Sequence, residues 1–91
     1  LESLGRMKAA GLPMAFGTDL LGPMHRRQAE EFRIRAEALP AREVLASALG
    51  VAARLLRLEG RAGTLAPGAF ADLAVLDADP LRDLSVLWRD G

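Results

Sequence analysis

The sequence predicts an α/β chain whose two halves differ in texture, and three observations predict it. A helical segment ends on Gly11 and runs directly into the apolar stretch Leu12 to Gly17. Two further helical patterns follow, one from about His25 and one from Pro40. Past Gly60 the chain changes to short apolar runs broken every few residues by glycine or proline. Helix, glycine and buried strand in that order form the αβ half of a βα repeat, the unit of parallel sheets.

Taken in order, Leu1 to Ala10 reads as the end of a helix with Leu4 and Met7 on one face. Gly11 stands where a left-handed cap is favoured. Leu12 to Gly17 lacks polar alternation, so a strand there expects cover on both faces, as in a parallel sheet. From about His25 to Ala38 the pattern is helical. Ala29, Phe32, Ala36 and Leu39 share its apolar face, and the pairs Arg27–Glu31 and Glu31–Arg35 lie outside. Pro40 opens a second helix without a side-chain cap, and that helix runs to Leu58. It carries two adjacent apolar stripes, Val44, Ala48, Val51, Leu55 and Leu45, Leu49, Ala52, Leu56, and so expects heavy cover. Thr64-Leu65 and Leu73–Leu76 read as strands joined through a turn at Pro67-Gly68, with Leu65, Leu73 and Val75 buried. Asp77 to Pro80 is another turn. The change near Gly60 is the candidate boundary between 1–59 and 60–91.

Bulk properties narrow the function classes. With 91 residues and 51% apolar content, a packed core is expected rather than disorder. Twelve basic residues balance twelve acidic ones. That leaves no cationic excess for phosphates, so no nucleic acid and no membrane surface is expected as partner. Cysteine is absent, which excludes disulfides and thiolate metal sites and fits a reducing, cytoplasmic location. No apolar run approaches the ~20 residues of a membrane helix. The start, Leu1-Glu2-Ser3, has neither a signal-peptide pattern nor an initiator methionine, so the chain reads as a piece of a longer one.

Three stretches carry a family resemblance. Gly-Thr-Asp at Gly17–Asp19 closes the first apolar run. Met24–Pro40 reads MHRRQAEEFRIRAEALP, and Pro67–Leu81 reads PGAFADLAVLDADPL. In this order they resemble the C-terminal part of the amidohydrolase superfamily, in particular its imidazolonepropionase- and prolidase-like members. The resemblance covers nearly the whole chain and implies a C-terminal fragment of a (β/α)8 TIM-type metal-dependent hydrolase barrel plus part of a small β-sandwich. Residues 1–59 would be the last barrel strand and C-terminal helices of the catalytic domain. Residues 60–91 would belong to a composite sandwich. The implied reaction is hydrolysis of a C–N bond in an amide, cyclic amide or dipeptide by metal-activated water.

The resemblance also assigns residues. Asp19 is implied as metal ligand and as the base that takes the proton from the nucleophile and passes it to the leaving amine. The implied cofactor is a divalent metal, zinc being the expectation. The expected partners are a small-molecule amide or dipeptide substrate, the rest of the barrel, and further copies in a homo-oligomer. His25 is the only histidine, so the family's His-x-His pair, its lysine or acidic ligand on a middle strand and its two further histidines lie elsewhere. A whole barrel takes ~250 residues. The fragment alone is therefore expected to be inactive and prone to associate. Leu49 stands where relatives often have threonine, a difference that touches helix packing only.

Read from the residues alone, each assignment has a plainer counterpart. An aspartate after a strand commonly caps a turn. His25, at a helix start, either lines the mouth of the site and touches substrate or simply caps and packs. Asp19 and His25 do not make a metal site between them, since a catalytic zinc takes three protein ligands and water. Gly17 and Thr18 either steady the carboxylate or only shape the backbone. Asp72 and Asp77 read as acceptors for loop amides, Glu30, Glu31 and their arginines as a solvated helix face, and Trp88 as a core or interface anchor. The competing reading of the whole is a stand-alone helical interaction module, with the apolar face of Arg42–Leu58 as a dimer interface and no catalysis.

Overall fold

A computed structural model describes residues 1–89. It contains four α-helices: α1 Glu2–Ala9, α2 Glu30–Ala36, α3 Ala41–Ala48 and α4 Gly50–Leu55. Two 3₁₀ turns, Gly22–Arg27 and Leu84–Leu87, complete the regular structure. No helix among the described residues is long and apolar enough to cross a membrane.

Helix α1 keeps Leu4 and Met7 half-buried and ends as expected on Gly11, at φ +73°. The Gly11 N–H donates to the Lys8 carbonyl and the Leu12 N–H to the Met7 carbonyl, at 2.9 and 3.1 Å. This pair of bonds closes a helix end and ejects the chain in a new direction. The next expected helix, His25 to Ala38, is split. The 3₁₀ turn occupies its first part, with Pro23 in the opening positions, and α2 begins only at Glu30. The expected Pro40–Leu58 helix is also split. Leu49 takes φ −110°, ψ −92°, and α4 restarts at Gly50, a residue that holds helical backbone weakly.

The core is small. Leu39, Val44 and Leu84 form its centre, at 4%, 0% and 8% exposure. Met14, Phe32, Leu45, Leu87 and Trp88 pack against it from α2, α3, the extended segment and the second 3₁₀ turn. Trp88 is thus a core-edge residue. The chain exposes 6814 Å², against about 5100 Å² for a compact monomer of its mass.

The expected strands are the main difference. Residues 12–20 and 70–76 are neither helix nor strand, and no ladder forms among the described residues. Strand backbone satisfies its N–H and C=O groups only through a neighbour, and neither stretch has one. Leu65, Leu73 and Val75, expected inside, are exposed at 78%, 63% and 91%. Leu49, Leu55 and Leu56, expected under cover, are also exposed. The turn between the two expected strands does form. Gly68 takes φ +88° after Pro67, and the Ala69 N–H donates to the Ala66 carbonyl at 3.0 Å, the pattern of a type II turn with glycine at its positive-φ position. The loop-capping aspartates are not Asp72 and Asp77. Asp79 accepts from the Leu81 N–H at 2.9 Å and Asp83 from the Ser85 N–H at 3.1 Å.

Candidate active site

The segment Met14–Thr18 alternates its contacts with a period of two. Met14 packs on the core. The Phe16 ring stacks on Phe32 of α2 with centroids 4.4 Å apart and planes tilted by 30°. Thr18 lines a cleft of about 220 Å³ with Leu20, Met24, Glu30, Glu31 and Ile34. That period is the signature of extended backbone with one face on a helical layer. The other face carries Ala15 and Gly17. One backbone bond ties the segment to α3, from the Phe16 N–H to the Ser47 carbonyl at 2.9 Å.

Asp19 follows at the end of this run. It is exposed, and its φ is +53°, one of two positive-φ positions occupied by a residue other than glycine. Aspartate tolerates this region better than most residues. The chain turns there toward the 3₁₀ segment that holds His25. His25 is exposed, and its carbonyl accepts from the Gln28 N–H at 3.2 Å. It lies inside the 3₁₀ turn, five positions before α2, rather than at a helix start. No hydrogen bond or ion pair joins Asp19 to His25 among the described residues.

The charged face of α2 is not uniformly solvated. Arg27 pairs with Glu30 at 2.8 Å rather than with Glu31, because the 3₁₀ turn shifts the spacing. That hydrogen bond holds the Glu30 carboxyl below the usual range and raises Arg27. Both groups face water, so the pair contributes little to stability. Arg35 behaves differently. It is buried at 7% exposure, its Nε donates to Glu31 Oε1 at 2.9 Å, and its guanidinium sits 4.9 Å from the Phe16 ring centre. Sequence reasoning placed it outside. The available signal was its position one turn after Phe32, on the apolar face.

Comparisons with known proteins decide the family. The profile described as the amidohydrolase family matches residues 1–82. The chain belongs to the amidohydrolase family. Among solved structures this amidohydrolase segment is similar to a prolidase complexed with N-methylphosphonate-L-proline, at 52% identity and a TM-score of 0.89. It is similar to another amidohydrolase at 48% identity and TM-score 0.91. It also resembles a Xaa-Pro dipeptidase with methionine bound in its active site, at 33% identity and TM-score 0.86. In each case 94% of this chain is covered, and the chain spans only 21% of the length of its relative. No curated protein matches.

Members of the family are generally metal-dependent. The residues present here do not make such a centre on their own. Among the described residues no three histidines, aspartates or glutamates stand close enough to hold an ion.

Proposed function

We propose that the chain is the C-terminal portion of a metal-dependent amidohydrolase that cleaves a C–N bond, with a dipeptide as the favoured substrate class. The observation that carries this reading is the close likeness along 94% of the chain to the prolidase structure, joined to the 21% share of that relative which it spans. Two of the similar structures are named for dipeptide cleavage, which favours a dipeptide over a cyclic amide. In this reading residues 1–59 end the barrel and residues 60–91 contribute to a sandwich completed by other parts of the parent. The parent is a cytoplasmic homo-oligomer, and zinc is the proposed metal.

Asp19 is the residue proposed to act. It stands at the end of an extended run, the position at which barrel enzymes place catalytic groups. Its left-handed backbone fits the tendency of functional residues to hold sparsely populated conformations. Its carboxylate takes a proton from the attacking water and hands it to the amine as the C–N bond breaks, because an unprotonated amine leaves poorly. It supplies one ligand to the metal, and the remaining ligands lie outside this chain. His25, on the exposed turn beyond Asp19, is proposed to touch substrate.

The decisive experiment is Asp19→Asn in the metal-replete parent. Turnover is expected to fall at least ~100-fold, and near-normal turnover would remove Asp19 from the mechanism. The isolated chain is expected to self-associate and to bind zinc no more tightly than a lone carboxylate and imidazole. Sedimentation over a concentration series and calorimetric titration check both. A monodisperse monomer that unfolds cooperatively would favour the stand-alone helical module instead.

A further inference from the structure

We propose that Arg35 is a positioning residue for Asp19, acting through Phe16. The inference rests on the reading of Asp19 given above. The Phe16 ring contacts two groups of α2, Phe32 at 4.4 Å and the Arg35 guanidinium at 4.9 Å. Its backbone is fixed separately by the bond to the Ser47 carbonyl. Among the described residues Phe16 is anchored through both its side chain and its backbone, and Asp19 lies three residues beyond it. Glu31 joins the two ends of the arrangement. It accepts from Arg35 Nε and lines the same cleft as Thr18, the immediate neighbour of Asp19.

Stability alone does not account for a guanidinium at this place. Nη1 of Arg35 is buried and has no hydrogen-bond partner among the described residues. An apolar side chain of similar length would cover the Phe16 face without burying a charge, at the cost of leaving the partly exposed Glu31 carboxylate without its partner. What the arginine adds is direction. Its head is held through Nε by Glu31 and sits over the Phe16 ring, which restricts where the ring can lie. A shift of the reacting group by about 1 Å costs activity out of proportion to any loss of contacts.

The test uses the full-length parent enzyme. Arg35→Met is expected to fold with a somewhat lowered melting temperature, because Glu31 loses its partner, while lowering kcat about tenfold to a hundredfold, with KM within about twofold. Arg35→Lys, which keeps the charge for the ring and for Glu31, is expected to recover part of the loss. In an Asp19→Asn background, Arg35→Met is expected to lower kcat no further, because a residue that acts through Asp19 has nothing left to position. If Arg35→Met fails to fold, Phe16→Leu takes its place with the same expected fall in kcat. Full kcat in the folded variant, or losses that simply multiply in the double variant, would overturn the proposal. Asp19→Asn separates the two readings. A fully active Asp19→Asn enzyme removes both, whereas an inactive one beside a fully active Arg35→Met enzyme removes only the positioning role.

Discussion

The helical region and the two extended arms of this chain are both rich in apolar residues, yet they bury them to very different degrees. Around α2 and α3, Leu39, Val44 and Leu84 are almost completely buried. Along 12–20 and 64–76, Leu12, Leu65, Leu73 and Val75 face solvent. The difference follows from where each kind of backbone finds its hydrogen bonds. A helix satisfies its own N–H and C=O groups and needs neighbours only for its side chains. An extended arm needs neighbours for both. On the proposed reading, the arms are the surfaces that the rest of the parent would cover.

The largest effect that sharpens this comparison is expected at the core. Leu39→Ala in the isolated chain is expected to remove most of its far-UV helical signal, since truncating so buried a leucine costs about 2–4 kcal/mol. Val75→Ala in the same chain is expected to leave that signal unchanged, as at exposed positions generally. The same substitution in the full-length enzyme is expected to destabilise by about 1–2 kcal/mol if segment 70–76 is covered there. Equal effects in both settings would break the distinction between the two regions.

How much of this was legible in the sequence depends on the range of the interaction involved. Local chemistry was readable: the Gly11 cap and the Pro67-Gly68 turn, whereas of the expected stripe Phe32 and Leu39 reach the core but Ala36 is exposed and Leu39 lies beyond the end of α2. Helix lengths were not, because Pro23 and Gly50 act on backbone geometry that a hydrophobic stripe ignores. The stretches expected as strands form no ladder among the described residues, and Leu65, Leu73 and Val75, expected inside, are exposed, because extended backbone needs a partner that a local reading does not identify. For the candidate site, Gly17–Asp19 stood out through its family pattern, and the left-handed turn at Asp19 did not. Arg35 was missed because a charged residue four positions from Glu31 looks like an exposed pair, whereas Phe16 draws it inward from a distant part of the sequence.

The smallest expected effect concerns the second 3₁₀ turn. Asp83 accepts from the Ser85 backbone and hydroxyl and pairs with Arg89 at 3.0 Å. Chiefly through the Ser85 hydroxyl, its carboxyl is held below the ordinary aspartate value of 3.8. The unfolded chain then binds the proton more readily than the folded one, so this contribution is present at neutral pH. It fades as the pH falls below 3.8, through the depressed folded value. Chemical-shift titration of the Ser85 amide is expected to show the transition there. A midpoint at or above the ordinary value would mean that the cap does not hold in solution.

The core also has an order in time. Val44 and Leu84 meet in it, yet 40 residues separate them in sequence. At a synthesis rate of ~5–20 residues per second, Leu84 emerges about 2–8 s after Val44. During that interval α2 and α3 are free to form but lack the side chain that closes the centre between them. A ribosome-bound intermediate stalled before Leu84 presents the apolar faces of both helices to whatever is nearby, so the second 3₁₀ turn sets when this part of the molecule stops being a target for chaperones.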